Sequence, residues 1–170
     1  MLTFIMLSDG VTHPRPGGDD REGNLMRSIP IGAKGSFEAV VRREDLANTF
    51  KDASLPPVLS TPVMIKFMEN AALRAIQPYL DGNETAVGTE VSVRHLAATP
   101  IGRKVRAEAE VTAVDGTRIS FSVRATDFEH EIGEGSHERR VVDRARLARH
   151  VAEMEASDGT SRAGADPISP

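Results

Sequence analysis

The sequence predicts an α+β fold in which one antiparallel sheet of about five strands wraps around a single long helix. Three observations lead there. A segment beginning at Thr61 has the 3.6-residue period of a mostly apolar helix. One segment before it and four after it alternate apolar and polar residues with the period of strands. Asp115-Gly116 stands between two of those strands and tolerates the positive φ of a tight hairpin, which makes them antiparallel neighbours.

Taken in order, Gly35 to Arg42 sets Phe37, Ala39 and Val41 against polar neighbours and reads as the first strand. Glu44 to Phe50 reads as a short helix, and Leu55-Pro56-Pro57-Val58 as an extended connector, because each proline restricts the residue before it. Thr61 followed by Pro62 is a helix start, with a capping hydroxyl and then a residue suited to the first helical position. That helix should reach about Gln77, where Pro78, Asp81 and Gly82 end it. The later strands are Thr85 to Ala97, Lys104 to Val114, Arg118 to Phe128 and Glu131 to Val142. Ala145, Leu147, Ala148, Val151 and Met154 then recur at helical spacing, so Asp143 to Met154 closes the domain as a helix. A sheet curled around one helix is the hotdog arrangement. It leaves a sheet edge and the helix ends uncovered, which predicts a homodimer, with a tetramer as the alternative.

With 170 residues the chain suits one domain, assigned to residues 28–154. Residues 1–27 and 155–170 are rich in Gly, Pro, Ser and Asp and are expected to be disordered, with Met26 an alternative initiator. The apolar stretch Met1 to Leu7 lacks preceding basic residues and is too short to span a bilayer, so neither a signal peptide nor a membrane partner is expected. A net charge of −4 argues against nucleic acid as a partner. The absence of cysteine excludes disulfides, thiolate nucleophiles and cysteine-ligated zinc, and fits a cytoplasmic location. The five histidines are scattered without a close pair, so no metal site is expected.

On a helical projection Lys66, Asn70, Arg74 and Gln77 share one polar arc, whereas Glu69 falls among Ile65, Leu73 and Ile76 on the apolar side. A carboxylate placed there needs a raised pKa or a partner, and such groups gather at functional sites; the alternative is a place at the solvent margin or in a structural ion pair. On the next strand Val87, Thr89, Val91 and Val93 define one face and His95 continues it. An inward histidine is commonly a satisfied core residue, but a carboxylate and an imidazole on facing surfaces make an acid/base pair. Thr61 is a third candidate whose plain reading is a helix cap. It lies ~12 Å from Glu69 along the helix axis, too far to act on the same atom within one chain, so either the site is shared between subunits, the favoured reading, or Thr61 serves the substrate at a distance from Glu69.

From about Pro57 to Asp143 the chain resembles the fluoroacetyl-CoA thioesterase family of the hotdog superfamily. The resemblance is carried by Ser60-Thr61-Pro62, Met68-Glu69-Asn70-Ala71-Ala72, Val87-Gly88-Thr89, His95 with Ala98-Thr99-Pro100-Ile101-Gly102, and His137-Glu138-Arg139. It implies hydrolysis of a small acyl-CoA with Thr61, Glu69 and His95 as catalytic residues. Glu69 would be nucleophile or base, His95 would orient water or protonate the leaving thiolate, and Thr61 would help stabilise the oxyanion. It further implies close substrate approach at Gly88, whose plain reading is a bulge, contact of His137 and Arg139 with substrate coenzyme A or with the dimer edge, and no cofactor beyond the coenzyme A of the substrate. For the last two the plain reading is a solvated strand face. The fluorinated substrate is not implied, because aromatic lid residues are replaced by Leu55-Pro56-Pro57 with only Phe50 near.

The rivals are an enoyl-CoA hydratase on the same scaffold and a non-catalytic acyl-CoA-binding dimer. The first lacks its Asp-His spacing here, and Gly133-Glu134-Gly135-Ser136-His137 does not make the nucleophile elbow of an α/β-hydrolase.

Overall fold

The structure, a computed structural model, describes residues 2–3 and 28–162. Its sheet contains β1 (Leu2–Thr3), β2 (Lys34–Val40), β3 (Glu84–His95), β4 (Lys104–Asp115), β5 (Arg118–Thr126) and β6 (Glu131–Asp143). The order is β1-β3-β6-β5-β4-β2, and every pairing is antiparallel. Helices are α1 (Ala47–Phe50), α2 (Thr61–Ile76) and α3 (Arg144–Arg162). The chain thus adopts the hotdog arrangement, with α2 packed in the curl of the sheet.

The expected short helix before the connector is a 3-10 turn, Arg43–Asp45, followed by the single turn of α1. At the other end α3 continues past Met154 to Arg162, so the helix extends into the segment expected to be disordered. Likewise Leu2–Thr3 pairs with Glu90 and Val91 on β3, although the sequence assigned no structure there. The remainder of both expected tails, residues 4–27 and 163–170, lies outside the described residues.

Alternation explains the sheet's core. Val105, Ala107, Ala109 and Val111 of β4 and Ile119, Phe121, Val123 and Ala125 of β5 are buried against the helix. From α2 they meet Met64, Phe67, Met68, Ala71, Ala72, Ala75 and Ile76. Small residues let helix and sheet come unusually close. A Cβ on Gly35 of β2 would lie 2.3 Å from both Ala71 O and Ala75 N of α2, so only glycine fits there.

Two local expectations change. The register Asp115↔Arg118 makes Gly116-Thr117, not Asp115-Gly116, the central pair of the β4–β5 hairpin. Only Gly116 takes a positive φ there, +56°, the pattern of a type II′ turn with Gly first. And the alternation of β3 breaks: its pairing with β6 shifts between Gly88 and Glu90, leaving Thr89 as the extra residue of a bulge. Val87 is therefore opposite exposed Arg140, while Ala86 and Gly88 share the inner row with Val91, Val93 and His95. Three partners show that inner row on β6: Val141, Arg139 and His137, all buried.

Candidate functional site

Thr61 is not the cap that the sequence suggested. Ser60 holds the extended cap position, with φ −77° and ψ 144°, and makes no side-chain cap bond; Thr61 is the first helical residue and Pro62 the second. The Thr61 hydroxyl, released from capping, lies 2.9 Å from His95 Nδ1. His95 closes β3 on the inner row and is half-buried, and burial lowers its pKa, opposed by the Ala97 backbone. Its Nε2 is buried without a hydrogen-bond partner among the described residues. Should the threonine O–H donate to Nδ1, the ring proton sits on Nε2 and requires an acceptor. Leaving such a buried donor unmade costs about 1–3 kcal/mol.

A second cluster forms around Glu69. Its carboxylate is not in the packed interior: the side chain is 39% exposed. Ile65 and Leu73, one turn before and after on the same stripe of α2, are also only half-buried. The imidazole beside Glu69 is that of His137, with Nε2 4.0 Å from Glu69 Oε1, and not the expected His95. A Cβ on Gly88 would lie 2.7 Å from Glu69 Oε1 and 3.1 Å from His137 Cε1. The bulge at Thr89 thus turns a glycine inward where the carboxylate needs the room, so Gly88 clears a place for Glu69 itself.

His137 and Arg139 are not on a solvated face. His137 Nδ1 donates to Glu90 O at 2.8 Å, which fixes the tautomer and leaves Nε2 as an acceptor. Arg139 fills it, with Nη1 3.2 Å from His137 Nε2. The same guanidinium donates to Ala86 O at 2.6 Å and to Glu69 O at 3.3 Å. Burial pushes His137 down to about 4, with the Glu90 carbonyl acting against the shift, so the ring is neutral near pH 7. Burial also lowers the Arg139 pKa while the Glu69 carboxylate raises it. The signal that places both residues inside was present in the sequence: they share the parity of Val141 on β6.

Within one chain the Thr61–His95 pair and the Glu69 cluster occupy separate places, as expected from ~12 Å of helix rise between Thr61 and Glu69. The inner row of β3 is equally incomplete, since Val91, Val93 and His95 are only half-buried. Beside Thr61 and His95 opens a cleft of about 420 Å³ whose wall includes Leu55, Val58 and Leu96.

Known proteins of this shape supply the context. The model of the fluoroacetyl-CoA-specific thioesterase family (FlK) matches residues 41–145. Fluoroacetyl-CoA thioesterase of Streptantibioticus cattleyicolor is 46% identical over 90 residues, which are 53% of this chain and 65% of that protein, so the match spans less than two thirds of that relative. A crystal structure of a mutant FlK in complex with fluoroacetate superposes with a TM-score of 0.71 at 34% identity, covering 74% of this chain and 98% of that one. A hypothetical protein of the thioesterase superfamily from Thermus thermophilus gives a TM-score of 0.75 at 30% identity, covering 79% and 99%. The matched residues 41–145 contain both clusters described above, and the chain belongs to the fluoroacetyl-CoA-specific thioesterase family.

Proposed function

We propose that the protein is an acyl-CoA thioesterase acting as a homodimer, hydrolysing a small acyl-CoA to the free acid and coenzyme A. The observation that carries this reading is the Thr61 hydroxyl held 2.9 Å from His95 Nδ1 at the edge of an open cleft. Family membership and a relative solved with fluoroacetate and CoA support the substrate class.

Each site would combine Thr61 and His95 of one protomer with Glu69 of a second copy. Two features favour that assembly. His95 Nε2 has no hydrogen-bond partner among the described residues, and the half-exposed stripe Ile65, Glu69, Leu73 offers a carboxylate flanked by apolar residues. Covering that stripe and the inner row of β3 with a second copy would bury apolar surface and supply the acceptor together.

In this site Glu69 attacks the thioester carbonyl, giving a mixed anhydride that water opens, or takes a proton from a water that attacks directly. Thr61 hydrogen-bonds the developing oxyanion, since its hydroxyl can turn from His95 toward substrate. As the carbon–sulfur bond breaks, the thiolate leaves with coenzyme A and takes up a proton that His95 relays. No group beyond the substrate's own coenzyme A is required.

A mixed dimer tests the chemistry and the assembly together. Glu69→Gln and His95→Ala homodimers should each lose roughly 10²-fold or more in thiol release. Co-expressed from differently tagged chains, their purified heterodimer keeps one site with intact His95 and Glu69, and should recover about half the wild-type activity under composite-site reasoning. A heterodimer as inactive as its parents would refute the shared site. Tight binding of acyl-CoA without turnover by the wild type would establish the non-catalytic binder instead.

A further inference from the structure

Resting on the thioesterase reading, we infer that the cleft beside Thr61 and His95 takes an uncharged aliphatic acyl chain longer than acetyl. The cleft measures about 420 Å³. Besides Thr61 and His95 its wall presents Leu55, Pro56, Val58, Leu96 and Ala97, with Lys51 the single charged side chain of the lining. The lining contains no Phe, Tyr or Trp. Leu55 and Leu96 are 36% and 47% exposed, an uncovered apolar area next to the Thr61–His95 pair.

The division of the substrate follows from hydrogen bonding. The pantetheine arm carries two amides, each needing a partner when buried. The side chains of Leu55, Pro56, Val58 and Leu96 provide none, and Pro56 lacks a backbone N–H as well. A hydrocarbon chain loses nothing against this surface, whereas an amide or carboxylate would be desolvated there. With its carbonyl at Thr61, a thioester would lay its acyl carbons along the apolar wall. A two-carbon group would reach little of it.

The wall is also fixed before substrate arrives. Ala47 N donates to Val58 O at 2.8 Å and Leu59 N to Thr99 O at 2.8 Å. Isolated bridges tie Leu46 to Leu59 and Val58 to Pro100. Leu55 N donates to Asp52 O at 3.0 Å, closing the turn that carries the leucine. A preformed apolar surface turns each added methylene into binding free energy with little ordering cost.

The experiment measures kcat/KM by thiol release for acetyl-, propionyl-, butyryl-, isovaleryl-, fluoroacetyl- and succinyl-CoA, with wild type, Leu55→Ala and Leu96→Ala. Each methylene buried against the wall should raise kcat/KM about 4-fold, equivalent to ~0.8 kcal/mol, so butyryl-CoA should exceed acetyl-CoA about 15-fold. Either leucine truncation should reduce the butyryl-to-acetyl ratio several-fold. Both leucines are partly exposed, so circular dichroism of the variants should match the wild type. A flat or falling series, fastest turnover of fluoroacetyl- or succinyl-CoA, or an unchanged ratio in both variants would overturn the inference while leaving a thioesterase in place. Absence of thiol release with every ester would instead overturn the thioesterase reading.

Discussion

Between pH 7.5 and pH 5 the protein should lose about 2 kcal/mol of folding free energy through His137 alone. Burial holds that imidazole near pKa 4 in the folded chain, against about 6.5 in an unfolded one. A histidine whose pKa falls on folding binds fewer protons folded than unfolded throughout that interval, so acid favours the unfolded chain. The contribution is fully present above pH 6.5 and is lost progressively as the pH falls toward 4. The full shift of about 2.5 units at ~1.36 kcal/mol each corresponds to about 3 kcal/mol, of which about 2 is expressed by pH 5. Urea denaturation followed by far-ultraviolet circular dichroism, at several pH values and one fixed protein concentration, reads this directly. His95, also lowered by burial, acts in the same direction, so the comparison must be with His137→Gln. That variant should be less stable at pH 7.5, because Arg139 and Glu90 lose their partner, and should show a pH dependence shallower by about 2 kcal/mol over the interval. An unchanged pH dependence in His137→Gln would refute the neutral, buried imidazole.

Three further outcomes follow from the same geometry. Gly35→Ala should cost about 1–3 kcal/mol or more in urea denaturation, since overpacking against backbone cannot be relieved by a rotamer change; the new methyl would lie 2.3 Å from Ala71 O and Ala75 N. Gly88→Ala should retain the fold but lower kcat about 10-fold or more, because its methyl displaces Glu69 Oε1, now 2.7 Å from that position; wild-type kcat in a folded variant would sever Glu69 from the chemistry. Thr61→Ala should lower kcat about 10-fold or more with little loss of stability, since a lost oxyanion donor acts on the transition state alone; a large fall in denaturation midpoint would restore the capping role.

Glu69 and His95 stand out in the sequence because a charged or polar group interrupts an apolar period, and both lie on surfaces facing the helix–sheet junction. Their pairing was not legible in the same way. Periodicity reports which way a side chain points from its own element, not which other element comes opposite. Thus Glu69 meets His137 of β6 in its own chain, while His95 meets Thr61. His137 and Arg139 were obscured for a related reason: the stretch from Gly133 to Arg140 is polar and glycine-rich, so the parity of Val141 beyond it was the one apolar mark of their row. The role of Gly88 depended on the bulge at Thr89, which reversed the facing of β3 at one residue. A single extra residue in a strand exchanges inner and outer faces, and no local propensity fixes where it falls.

By itself the sequence determined the order of the main elements from β2 onward, the long helix from Thr61, the antiparallel β4–β5 pair and the family resemblance, because each is written in local spacing or in an ordered set of motifs. Tertiary structure alone decided which polar groups share a space. Ser60 took the cap position and freed Thr61 for His95, and Arg139 bound Ala86, Glu69 and His137 together. Those contacts join residues up to 70 positions apart in the chain. They arise from the curl of the sheet about α2, a property of strand register and packing that no short segment encodes.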